Sequence, residues 1–122
     1  MTDILKVLGD IGHFRHWSRM PAPGGSSFPP FIAWTYEQPT EQMAEKLRTV
    51  ISNYQGSVDW TFLTDGSRWK LMPTRVNVEA ELTGRGMIPV AADLKAKDPE
   101  FGKLANEDLV LLAEHISNCW ND

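Results

Sequence analysis

Apolar positions recur at three- and four-residue steps near the N-terminus, where Ile4, Val7, Leu8, Ile11 and Phe14 form one stripe. That is the period of a helix with a single buried face. Thr2 suits the capping position and Asp3 the first turn. Leu5, Gly9, Gly12 and His16 make a second, thinner stripe that lets another element approach, although two glycines weaken the middle of a helix. Lys6, Asp10, His13 and Trp17 then fall on the outer face. Pro21 to Ser27 is loop chemistry closed by Phe28-Pro29-Pro30, and a mobile Pro/Gly/Ser loop is expected at about 20–30.

Phe31 to Tyr36 is apolar on both faces, which predicts a covered, central strand. Pro39 and Thr40 open a second helix with Met43, Leu47, Val50, Ile51 and Tyr54 on its apolar side, and Gly56 reads as its terminator. From Val58 the period changes to two. Val58, Trp60 and Phe62 alternate with Asp59, Thr61 and Leu63, and Asp65-Gly66 is a hairpin signal. Folding about that turn sets Phe62 opposite Trp69, Trp60 opposite Leu71 and Thr61 opposite Lys70, so one face is aromatic and the other polar.

Val76, Val78, Ala80 and Leu82 also alternate, which predicts a third strand over Arg75 to Thr83. In that register Leu71 faces Val76, Trp69 faces Val78, and Arg68 meets Glu79. Gly84-Arg85-Gly86 reads as a turn, Met87 to Val90 as a short strand, and Ala91 to Leu104 as polar and irregular. Asn106 caps a last helix whose apolar face is Leu109, Leu112, Ala113, Ile116 and Cys119. The order predicts an α+β fold: an antiparallel sheet of three to five strands, including a Val58–Leu82 meander, with about three helices packed on one face. Residues 1–122 are expected to form a single compact domain.

Charge and composition narrow the function classes. A formal net charge of −4 argues against direct binding to a nucleic-acid backbone, which favours a basic excess. Cys119 is the single cysteine, so no intrachain disulfide exists and a reducing compartment is expected. No apolar run approaches the roughly 18 residues of a membrane span, and no secretory signal pattern opens the chain. The expected location is cytoplasmic.

Candidate chemistry is sparse. His13 and His16 lie three apart on the expected helix, but no third ligand completes a metal site, so no metal or cofactor is expected. His115 and Cys119 lie four apart, yet Cys119 falls on an apolar stripe near a helix C-terminus, which disfavours a thiolate. Neither glycine-rich stretch has a phosphate-loop pattern, and no nucleophile elbow is present. A polar sheet face would gather Asp59, Arg68, Lys70, Asn77, Glu79 and Glu81.

Five tryptophans are the unusual count. Trp34, Trp60 and Trp69 are expected in the core, Trp120 over the core or at a contact surface, and Trp17 partly exposed. With Arg15, Arg19, Met20 and Phe28, Trp17 forms an apolar, arginine-bearing patch of the kind that anchors protein interfaces. The leading expectation is a small non-enzymatic interaction protein that binds a larger protein. An inhibitor, immunity-type or adaptor role is meant, of a size that suits phage or mobile-element encoding. Two alternatives stay open. One is a self-assembling structural subunit, such as a phage tail or connector ring component. The other is a small-ligand or nucleotide-binding enzyme using the polar sheet face.

Overall fold

The computed structural model describes residues 3–20, 29–84 and 99–120. The elements in chain order are α1 (Ile4–Ile11), β1 (Phe14–Met20), β2 (Phe31–Tyr36), α2 (Glu41–Ser52), β3 (Trp60–Asp65), β4 (Arg68–Pro73), α3 (Thr74–Thr83) and α4 (Pro99–Trp120). The four strands form one antiparallel sheet in the order β1-β2-β4-β3. The α+β class is as expected, with β2 in the interior of the sheet and Ile32, Ala33, Trp34 and Tyr36 buried.

Strand alternation sends Ile32, Trp34, Tyr36, Phe62, Trp69 and Leu71 into one core, together with Ile4, Val7 and Leu8 of α1, Leu47, Val50 and Ile51 of α2, and Leu109, Leu112 and Ile116 of α4. Three helices therefore cover one sheet face. Trp34 is its aromatic centre: its ring lies 6.0 Å from Phe62 and 6.2 Å from Trp69, the latter edge-on, within the favoured range for aromatic pairs.

The first correction concerns residues 13–20. The expected helix stops at Ile11, and Phe14 to Met20 pair with β2 instead. Phe14 still turns inward, but as a strand residue whose ring stacks on Tyr36 at 5.5 Å. The Tyr36 hydroxyl donates to the Leu8 carbonyl at 2.6 Å, one of the α1 carbonyls that have no partner within the helix. A short helix broken by glycine thus gives way to a ladder with more hydrogen bonds and an aromatic stack. Asp3 occupies the N-cap position and leaves its carboxylate to Arg19 rather than to the helix. Thr2 lies outside the described residues.

The β3–β4 hairpin forms with Asp65 opposite Arg68, Phe62 opposite Leu71 and Leu63 opposite Lys70. This register is displaced by two residues from the expected one, because Gly66 and Ser67 form the loop rather than Asp65 and Gly66. Gly66 takes the left-handed φ of 61° that its first position favours. A shift of two preserves the faces, so the aromatic side is as expected.

The second correction is α3. Residues 74–83 form a helix, so Val76 and Val78 do not pair with Leu71 and Trp69 as a third meander strand. Only Val76 and Ala80 are buried, four apart, while Val78 is 44% and Leu82 79% exposed. Val76 and Ala80 satisfy both a two-residue and a helical period, and Gly84, with φ of 68° and its N–H on the Ala80 carbonyl, terminates the helix. Met72 points away from the main core and is fully covered, and the Thr61 and Thr74 hydroxyls bond at 2.7 Å on that same side. α3 therefore lies on the opposite sheet face.

Among the remaining expectations, Thr40 does cap α2, its Oγ1 accepting the Met43 N–H at 3.1 Å. The last helix starts earlier than expected, at Pro99, so 99–104 is helical and Asn106 lies inside it, donating to the Gly102 carbonyl. Pro at a first helical position needs no N–H partner. Residues 21–28 of the mobile loop expected at about 20–30, and the strand at Met87 to Val90, lie outside the described residues.

One polar node was not anticipated. Asp108 is 2% exposed on α4. Its Oδ1 accepts from the Tyr54 hydroxyl at 2.8 Å and the Ser57 N–H at 3.2 Å, and its Oδ2 accepts from Trp60 Nε1 at 2.8 Å. These bonds tie the connection between α2 and β3 to α4. Gly56 is required here because a Cβ would collide with the Tyr54 ring and hydroxyl. The expected terminator of α2 is thus a spacer for Tyr54, and the helix ends at Ser52.

Two predictions follow from these bonds. Asp108→Ala leaves three donors without their acceptor, so it should lower unfolding stability by about 3 kcal/mol in urea titration, with Gly56→Ala lowering it by about 1–3 kcal/mol through overpacking; Asp108→Ala at wild-type stability would contradict the assignment. Burial raises the Tyr36 pKa far above its ordinary 10.0, and burial, then the Asp108 hydrogen bond and charge, raise that of Tyr54. Because the folded values exceed the unfolded ones, this stabilisation is complete below pH 10 and is lost as pH rises beyond it. Phenolate absorbance should therefore appear together with unfolding, not before it, since Tyr36 and Tyr54 are the only tyrosines in the chain.

Candidate functional site

β1 is an edge strand, and its sequence Phe-Arg-His-Trp-Ser-Arg-Met lacks a two-residue apolar period. The register slips between Phe14 and His16, leaving Arg15 as the extra residue of a bulge. Bulges bend a strand and re-aim its side chains. Beyond it the pairing is regular: His16 with Thr35, Trp17 with Trp34, Ser18 with Ala33 and Arg19 with Ile32. Arg15, His16, Trp17 and Ser18 are all exposed, Trp17 by 52%. Successive strand residues point to opposite faces, so four exposed in a row mean that this stretch is uncovered on both sides.

Two open clefts flank it. One, of about 390 Å³, is lined by Arg15, His16, Thr35, Glu37 and Ser67, among others. The second, of about 200 Å³, has His16, Trp17, Ser18, Thr35 and Arg68 in its wall. His16 and Thr35 belong to both, so the clefts adjoin. Among the described residues, neither Arg15 nor Arg68 forms an ion pair. A chain of net charge −4 thus presents guanidinium groups that are without an ion pair among the described residues beside an exposed indole. Such a surface suits carboxylate recognition and aromatic contact.

The structure divides the expected patch. Arg15 and Trp17 stand exposed on β1. Arg19 does not join them: its side chain is 13% exposed and its Nη1 bonds the Asp3 carboxylate at 2.5 Å, fastening β1 to the start of α1. Phe28 and the side chain of Met20 lie outside the described residues.

The alternative polar sheet face is dispersed. Arg68 and Lys70 are on β4, with Lys70 3.9 Å from Asp65. Asp59 precedes β3, and its carbonyl accepts the Thr74 N–H. Asn77, Glu79 and Glu81 are on α3, so the expected pairing of Arg68 with Glu79 across strands does not exist. His13 and His16 are likewise not one helical turn apart, since His16 is in β1. Among the described residues no three His, Cys, Asp or Glu side chains gather to hold a metal.

His115 Nε2 bonds the Val50 carbonyl at 2.9 Å, which requires a proton on that nitrogen, and Cys119 Sγ lies 3.8 Å from Nδ1. The imidazole is thereby held as a link between α2 and α4. His16, Ser18 and Thr35 were missed as site residues because β1 carries no strand period. The one signal available was the concentration of aromatic residues in Phe14 to Trp17.

No family model, curated protein or solved structure matches this chain. Among the described residues, no helix is long and apolar enough to cross a membrane.

The division of the patch is testable by stability alone. Arg19→Ala should cost about 1 kcal/mol by removing both an ion pair and packed methylenes, whereas Arg15→Ala should stay within about 0.5 kcal/mol of wild type. Equal losses in thermal unfolding would erase the distinction.

Proposed function

We propose that this protein is a small, cytosolic, non-enzymatic interaction protein that docks on a larger protein through β1, with Arg15 and Trp17 as anchors. An inhibitor, immunity-type or adaptor role fits this reading. The observation that carries it is the run of four exposed residues on β1, with Trp17 52% exposed near Arg15, which has no ion pair among the described residues. An exposed tryptophan on a regular strand loses apolar contact with nothing to offset it until a partner covers it. Arginine and tryptophan are also the side chains most often found at energetic centres of interfaces.

The reading is supported from the other direction by what surrounds the buried groups. Asp108 already takes three donors, and His115 is bonded to a backbone carbonyl. Neither lines the two clefts beside β1, so these two buried groups serve the fold.

The test is capture from native-host lysate with tagged wild type and Trp17→Ala, followed by mass spectrometry and light scattering. One stoichiometric partner is expected with wild type, its binding weakened by about 2 kcal/mol or more in Trp17→Ala, the usual cost of a truncated hot spot. Retention of that partner at full strength by Trp17→Ala would remove β1 as the site. Recovery of the chain alone as a defined ring would replace the proposal with self-assembly.

A further inference from the structure

We infer that the partner binds by strand addition: an extended, acidic segment of it pairs with the open edge of β1. This rests on the interaction reading above and names the chemistry of what binds there.

The backbone supplies the first argument. β2 occupies one side of β1, and among the described residues no strand pairs with the other. The outward N–H and C=O groups of an edge strand form a template for another strand. Proteins commonly blunt such an edge with lysine, proline, a bulge or a covering segment. Here the bulge is confined to Arg15, and His16 to Arg19 continue in regular register without lysine or proline. Exposure of Arg15 to Ser18 leaves room on both faces for side chains of an added strand.

Charge selects the occupant. Arg15 and His16 line one cleft, and His16 and Arg68 line the adjoining one, with Glu37 as the carboxylate in the first. Because Arg15 and Arg68 have no ion pair among the described residues, their hydrogen-bonding capacity is available to carboxylates. In strand addition, main-chain bonds provide affinity while pockets for alternate side chains provide specificity. The two clefts beside β1 fit that division.

A second copy fits less well. Antiparallel self-pairing of β1 brings no carboxylate to Arg15, because Phe14 to Met20 contains no acidic residue. A nucleic acid would use the cations and the indole but would leave the strand edge unpaired.

The experiment titrates peptides of about seven residues, a common strand length, into the isotopically labelled full chain. Amide chemical shifts and hydrogen exchange are followed by NMR. The probes are an alternating Glu-Val peptide, its Lys-Val counterpart and the Glu-Val peptide methylated on alternate backbone nitrogens. The Glu-Val peptide should shift and protect β1 amides, and the Lys-Val peptide should not. Backbone methylation, or the double variant Arg15→Glu with Arg68→Glu, should weaken binding by about tenfold or more, with the variant's melting temperature checked to confirm folding.

Absence of shifts with Glu-Val at millimolar peptide overturns the inference, as does undiminished binding of the methylated peptide. Oligothymidylate binding at β1 without peptide binding overturns it in favour of nucleic acid. A dimer that protects β1 overturns it in favour of a second copy. These outcomes are separable from the interaction reading itself: a lysate partner lost in Trp17→Ala, with no peptide binding, overturns strand addition and leaves β1 as an interface.

Discussion

Tyr36 is the contact on which the placement of β1 depends. Its hydroxyl satisfies the Leu8 carbonyl at the end of α1, its ring stacks on Phe14, and its edge-on contact with Trp69 reaches β4 at 5.0 Å. One side chain thus joins the first helix, the edge strand and the far half of the sheet. A hydroxyl buried there without an acceptor would cost free energy comparable to a lost hydrogen bond. The geometry that supplies the acceptor also decides where α1 stops. Gly12 fits this junction because a Cβ would sit 3.2 Å from Tyr36 Cδ1.

From that junction outward the molecule divides into a heavily bonded interior and a lightly covered edge. On the interior side, α1, α2 and α4 share one aromatic and aliphatic core with the sheet, and Asp108 fastens α4 to the segment before β3. A buried carboxylate is tolerated only when donors surround it, and Tyr54, Ser57 and Trp60 meet that requirement from a short stretch of chain. On the edge side, Arg19 anchors β1 through Asp3, while Arg15 to Ser18 keep their side chains in solvent. Anchors at Phe14 and Arg19, on either side of four exposed residues, give a rigid support for an uncovered surface.

Several features were readable because the period of apolar residues left one interpretation. β2 is apolar on both faces and is an inner strand; α2 has a clean helical stripe with Thr40 at its head; the β3–β4 faces follow from alternation alone. Where two periods coincide, tertiary contacts choose between them. Val76 and Ala80 serve a strand or a helix equally, and the helix forms between Pro73 and Gly84 on the side of the sheet where Met72 is buried, although Thr74, Val76, Asn77, Val78 and Thr83 are weak helix formers. At Phe14 the helical stripe was real in spacing but lost to the stack on Tyr36 and the ladder with β2.

The candidate site follows the same rule. The residue types at Arg15 and Trp17, the acidic balance around them and the exposure expected of Trp17 belong to the chain itself. Local spacing also settles the α+β class, since apolar period is a property of neighbours in sequence. That Arg68 joins Arg15 beside shared His16 and Thr35, that Arg19 is withdrawn into an ion pair, and that Asp108 collects donors from about fifty residues away were decided only by folding. Those arrangements depend on strand order and on which buried polar groups can be satisfied together, and neither is written in the spacing of one segment.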